Sequence, residues 1–180
     1  MMLRRWLAAL SGKTDGQMTH VDAGTIAPVF SLKDLGGREY SLLSLLIKGP
    51  VVAVFFKISC PVCQFTLPFI ERLYKSYRDV ATLLGISQDD TKATQKFADQ
   101  YGVTFPILLD GKGYPTSNAY GLFSVPTVFL IDTDRTAKVI CLGFEKKGLE
   151  DIAATLAERK QVRPAALFRP DEKIPAHRPG

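Results

Sequence analysis

Two cysteines, Cys60 and Cys63, stand three residues apart in the run Val51-Val-Ala-Val-Phe-Phe-Lys-Ile-Ser-Cys60-Pro-Val-Cys63. That spacing suits dithiol–disulfide exchange, in which one thiolate attacks and the second thiol resolves the mixed disulfide. The apolar run Val51 to Phe56 reads as a buried strand, and Phe65, Phe69, Leu73 and Tyr77 follow at helical spacing. A strand-to-helix turn would set Cys60 at or beside the helix N-cap. There the helix dipole and free backbone N–H groups stabilise a thiolate, the reactive nucleophile. Cys63 would lie one turn in, within reach of a mixed disulfide on Cys60. Pro61 suits the first helical position, where its missing N–H needs no partner and its φ is already helical.

The competing readings of the pair are half a zinc site or two inert core thiols. A structural zinc site needs four ligands. The chain offers only Cys141, His20 and His177 besides, and both histidines fall in polar terminal regions. The strand–Cys-x-x-Cys–helix context opposes inert thiols. Cys141, inside an apolar stretch, reads as a small buried hydrophobe. The expected site therefore has no metal and no cofactor beyond a Cys60–Cys63 disulfide.

At 180 residues the chain can bury one core without staples. Three cysteines are too few for a disulfide-stapled scaffold. The net charge of +5 draws on the ends, through Arg4, Arg5, Arg163, Arg169, Lys173 and Arg178, so no nucleic-acid surface is expected. After Arg4 and Arg5 the apolar stretch Trp6 to Leu10 is shorter than a signal peptide requires. That favours a cytoplasmic setting, with a periplasmic or membrane-associated one as the alternative. No run is long enough for a stable membrane span.

The elements that must position the dithiol follow from periodicity and punctuation. Ala27–Leu32 and Arg38–Ser41 read as two short strands joined by Gly36-Gly37. Ser41 is placed to cap a short helix through Ile47, ended by Gly49-Pro50. After the cysteine helix, 80–87 reads as a second buried strand. Asp90 or Thr91 opens a helix that Gly102 closes. A short strand at 104–109, a loop with one helical turn at 117–120 and a hairpin of 127–132 with 137–142 come next. A last amphipathic helix spans about 147–159. Residues 163–180, with four prolines and few apolar anchors, read as an extended tail. Strands alternating with helices and closing on a hairpin give an α/β sheet covered on both faces.

On four motifs the chain resembles the redoxin group of the thioredoxin-like superfamily. Within it, the chain is most similar to the thiol–disulfide oxidoreductases of cytochrome-c maturation, alongside the alkyl hydroperoxide reductase/thiol-specific antioxidant proteins. The motifs are Gly24-Thr-Ile-Ala-Pro-Val-Phe30, Cys60-Pro-Val-Cys63 with Pro68 beyond it, Tyr101-Gly-Val-Thr-Phe-Pro-Ile-Leu-Leu-Asp110, and Tyr120-Gly-Leu-Phe-Ser-Val-Pro-Thr-Val-Phe-Leu-Ile-Asp132. The resemblance implies an α/β, thioredoxin-like fold: a central mixed β-sheet flanked by helices, with an N-terminal β-hairpin extension. The resemblance covers about residues 24–160, which sets a redoxin domain at 24–162 between a flexible leader at 1–23 and a Pro-rich basic tail at 163–180, both read from composition. It also implies a cis Val125–Pro126 bond facing the dithiol. Val125 and Pro126, with Ser59 and Pro61 flanking the nucleophile, would then dock the substrate.

Three departures stand out. Many relatives carry Trp before the first cysteine, where this chain has Ser59. Maturation-type reductases often place Glu where Thr66 stands, and thioredoxins bury an Asp where Val54 stands. No carboxylate is therefore evident as a proton relay for Cys63. Lys57, three before Cys60, would lower the thiolate pKa if it pointed at the sulfur. The function expected is a thiol–disulfide oxidoreductase working on protein or small-molecule disulfides with an external thiol reductant, as a monomer. The alternative is a peroxiredoxin-like thiol peroxidase. That class sets Pro-x-x-x-Thr/Ser-x-x-Cys around its cysteine; here the positions three and seven before Cys60 are Lys57 and Ala53, and before Cys63 they are Cys60 and Phe56. A non-catalytic redox sensor or metal-handling module is the third class, opposed by the three-apart spacing and the lack of a core histidine.

Overall fold

The computed structural model describes residues 20–180. Of the flexible leader expected at 1–23, residues 1–19 lie outside the described residues. In chain order the elements are β1 (Ser31–Lys33), β2 (Glu39–Ser41), α1 (Leu42–Leu46), β3 (Val51–Phe56), α2 (Pro61–Tyr77), β4 (Thr82–Ser87) and α3 (Thr91–Tyr101). After them come β5 (Ile107–Leu109), α4 (Pro115–Ala119), β6 (Thr127–Ile131), β7 (Ala137–Leu142), β8 (Phe144–Glu145), α5 (Lys146–Lys160) and β9 (His177–Arg178).

The central sheet runs β5-β4-β3-β6-β7. β3 pairs parallel with β4 and antiparallel with β6. The sheet is mixed, and helices cover it. β3 is buried on both faces, and its two sets of side chains enter two separate cores. Val52, Val54 and Phe56 pack with Leu67, Ile70 and Leu73 of α2, Phe97 of α3 and Ile152 and Leu156 of α5. Val51, Ala53 and Phe55 pack with Leu42, Leu45 and Leu46 of α1, Phe30 and Tyr120. A strand with apolar groups on both faces reads as an unbroken hydrophobic run, which is why Val51–Phe56 is so legible. Gly85 in β4 is part of this packing: a Cβ there would sit 2.9 Å from the Phe56 ring and 3.2 Å from the Phe105 ring.

β1 and β2 form the antiparallel N-terminal hairpin. Its first strand begins at Ser31 rather than Ala27, because Ala27 hydrogen-bonds outward to the Arg135 carbonyl and Ile26 bridges Thr136. Ser41 occupies the N-cap of α1, but its side chain makes no capping bond. Asp90 does cap α3, accepting the Ala93 N–H at 2.9 Å, and Gly102 closes that helix in the left-handed conformation. The turn expected at 117–120 begins earlier, at Pro115. The buried Asp110 carboxylate accepts the Thr116 and Ser117 N–H groups at 2.9 and 2.8 Å and so fixes that start.

Residues 163–174 pack along α2. Leu167 is buried, Ala165, Phe168 and Ile174 lie against the same core, and the Ala165 N–H donates to the Tyr77 hydroxyl at 2.7 Å. Arg72 grips Glu172 through two hydrogen bonds and donates a third to the Leu167 carbonyl. A few apolar anchors thus suffice because α2 supplies a complementary face. β9 then pairs antiparallel with β8. Among the described residues no helix is long and apolar enough to cross a membrane.

Candidate active site

The antiparallel register of β3 against β6 brings the two parts of the site together. Phe55 pairs with Thr127, so the turn leaving β3 toward Cys60 faces the peptide entering β6 at Pro126. The Val125–Pro126 bond is cis. Cys60 is the N-cap of α2, with extended backbone, and Pro61 occupies the first helical position. The Cys63 N–H donates to the Cys60 sulfur at 3.3 Å, which aims a helix N-terminal donor at the site of thiolate charge. The Cys60 thiol in turn donates to the Val125 carbonyl at 3.2 Å.

The two thiols differ in access. Ser59, Cys60 and Pro61 form a ridge in which Ser59 and Pro61 are exposed and Cys60 is partly so. Cys63 is fully buried behind them, and all three cysteines are free thiols. Burial holds the Cys63 thiol well above the ordinary range; the Lys57 backbone offsets part of this, while Cys60 and Asp89 add to it. Cys141 is buried in β7 and pushed up to about 12, again chiefly by burial.

The turn that carries Cys60 is clamped from several sides. Its own N–H donates to the Lys57 carbonyl at 3.1 Å. Asp89 accepts the Ile58 N–H at 2.7 Å, and the Gln64 amide donates to the Ile58 carbonyl at 2.9 Å. Asp89 and Gln64 carry no local sequence signal. Asp89 was findable from topology alone, since it leaves the carboxyl end of β4 beside the carboxyl end of β3, where α/β sheets build their sites. It lies just past β4, holds the turn through the Ile58 N–H, and its charge adds to the rise of the Cys63 thiol.

The structure brings Cys60, Cys63, Val125, Ser59 and Pro61 to one place. Pro126 is buried, and only Val125, half-buried, turns a backbone face toward the ridge. On one side of Val125 lies Phe123, 72% exposed. Gly180 also lies close to Val125. Among the described residues no three His, Cys, Asp or Glu side chains are grouped to hold a metal ion.

A dithiol at the start of the helix after the central strand, facing a cis-proline loop across the sheet, defines a thiol–disulfide oxidoreductase of the thioredoxin-like fold. The chain belongs to the AhpC/TSA family, whose model matches residues 23–140. It is 36% identical over 146 residues to thiol-disulfide oxidoreductase ResA of Geobacillus thermodenitrificans, covering 80% of this chain and 82% of that one. It is 32% identical over 168 residues to thioredoxin-like protein YneN of Bacillus subtilis, covering 83% and 96%. Among solved structures, peroxidoxin BcpB of Mycobacterium tuberculosis superposes with a TM-score of 0.65 at 28% identity, over 80% of this chain and 99% of that one.

Proposed function

We propose that this oxidoreductase reduces disulfides of polypeptides or small molecules, with Cys60 as nucleophile and Cys63 as resolving thiol. The Cys60 thiolate attacks one sulfur of the substrate disulfide. The substrate S–S bond breaks, its far sulfur leaves as a thiolate, and a Cys60–substrate mixed disulfide forms. The Cys63 sulfur then attacks Cys60, the second substrate thiol departs, and a Cys60–Cys63 disulfide remains. Two electrons have passed to the substrate, and the Cys63 proton leaves with the departing thiolate. An external thiol reductant restores the dithiol.

The observation that carries this reading is the asymmetry of the pair: Cys60 is partly open at the helix N-terminus, and Cys63 is sealed behind it with only its backbone N–H on the Cys60 sulfur. Once Cys60 is a thiolate its bond to Val125 is lost, and the Val125 carbonyl is free to take a backbone N–H from the substrate. Val125 thus docks the substrate, with the buried Pro126 behind it and Ser59 and Pro61 forming the ridge the substrate passes over. The exposed ring of Phe123 beside this carbonyl suits an apolar side chain of a polypeptide more than a hydroperoxide.

The BcpB likeness raises the peroxidase alternative. Against it, Lys57 and Ala53 replace the hydroxyl and proline that such a site places before its cysteine. Insulin reduction and hydrogen peroxide consumption, measured with one thiol reductant, separate the two. Disulfide turnover that Cys60→Ser abolishes is expected. Peroxide oxidation of Cys60 many orders of magnitude faster than of free cysteine, with disulfides inert, would replace this reading with the peroxidase.

A further inference from the structure

Residues 177–180 lie along the docking edge itself. Beyond the anchored stretch up to Ile174, the Ala176 carbonyl accepts the Lys146 N–H at 2.9 Å, and His177 and Arg178 pair with Glu145 and Phe144. The Arg178 guanidinium lies 3.9 Å above the ring of Phe65, two residues past Cys63. Gly143 gives the tail its bed. Its φ is +75°, and a Cβ there would strike the Arg178 carbonyl and come 2.8 Å from the Gly180 nitrogen. At position 180 a Cβ would sit 2.5 Å from the Val125 carbonyl oxygen. That oxygen is the one that accepts the Cys60 thiol. The Val125 carbonyl oxygen is thus a shared neighbour of Gly180 and the Cys60 thiol, and His177–Arg178 just before run as a strand.

The two parts of the tail differ in how they are held. Residues 165–174 have a buried leucine and the Arg72–Glu172 pair. Residues 177–180 are all exposed and add only a two-residue ladder and one cation–π contact. Once residues 177–178 are displaced, the backbone groups of Phe144–Glu145 are freed to pair with another extended chain.

We infer that residues 175–180 are a displaceable strap occupying the edge on which an extended polypeptide substrate docks, so that strap and substrate exclude each other. This rests on the reading of Val125 as the docking residue. The substrate class it selects is an unfolded or loop segment able to add a strand along Phe144–Glu145, with a small residue where Gly180 meets Val125.

Two variants test it: a chain ending after Ala176, and Gly180→Leu in the full chain. Both leave the Arg72–Glu172 anchor intact, and an unchanged melting temperature checks that. The first readout is alkylation of Cys60 in reduced protein by iodoacetamide and by a polyethylene glycol maleimide. Opening a strap held by a few net contacts should raise the bulky reagent's rate about tenfold in both variants and the small reagent's much less. The second readout is turnover of a peptide disulfide, whose KM should fall in both variants. Equal bulky-reagent rates in all three proteins, or slower ones in the variants, would overturn the strap. Faster labelling without disulfide turnover in any of the three would leave the strap standing and remove the reductase function instead.

Discussion

The Cys60 thiol and the Val125 carbonyl are 3.2 Å apart, although 65 residues separate them in the chain. The bond ties Cys60, the N-cap of α2, to the loop entering β6. It exists because β3 and β6 pair antiparallel, so the exit of one strand meets the entrance of the other.

Cys60 should alkylate first. In reduced protein at mildly acidic pH, iodoacetamide should label Cys60 more than about a hundredfold faster than Cys63 or Cys141, because both of those are fully buried and need a local opening of a few kcal/mol. Peptide mapping by mass spectrometry reads the result. Preferential labelling of Cys63 or Cys141 would contradict the assignment of roles.

Alkaline pH should destabilise the reduced protein more than the oxidised one. Burial raises Cys63 in the folded state above its ordinary 9.0, and Cys141 to about 12. Each folded thiol therefore keeps its proton at a pH where the unfolded chain has lost it. Their contribution is fully present below pH 9 and is lost as pH climbs through the folded values. Denaturant midpoints of the reduced protein should fall steadily above pH 9. The oxidised protein, with Cys63 no longer a titrating thiol, should fall less.

Asp89→Ala should loosen the nucleophile's turn. It orphans the partly buried Ile58 N–H, at a cost of about 1–2 kcal/mol. Asp89→Asn keeps an acceptor oxygen and should recover most of that loss. Urea midpoints together with hydrogen exchange at Ile58 decide it; equal midpoints for Ala and wild type would show that the carboxylate does not hold the turn.

Gly85→Ala should destabilise by about 1–3 kcal/mol through overpacking, since the new methyl meets the Phe56 and Phe105 rings in a close-packed core. A shift in the denaturation midpoint measures it, and a neutral substitution would mean that the rings yield freely.

The sequence made the dithiol and its strand legible because both are local. An unbroken apolar run, Pro61 at the helix start and two thiols three apart need no tertiary knowledge. The facing Val125–Pro126 loop was reachable only through family resemblance, since nothing in the residues themselves specifies a cis bond. Asp89 and the tail were missed for a common reason. Each acts on a partner far away in sequence: Asp89 on Ile58, Glu172 on Arg72, Gly180 on Val125. No periodic pattern encodes such pairs. Four prolines marked 163–180 as non-helical, but not as docked, because the face that holds Leu167 and Phe168 belongs to α2.

Trapping of the mixed disulfide distinguishes Cys60 as the attacking sulfur from Cys63 as the resolving one. Cys63→Ser protein, reduced and then mixed with a peptide disulfide, should accumulate a covalent adduct on Cys60, seen by mass spectrometry without reductant. The wild-type protein under the same conditions should release free peptide thiol and finish with a Cys60–Cys63 disulfide. An adduct on Cys141, or full turnover by the Cys63→Ser protein with no adduct on Cys60, would contradict the account.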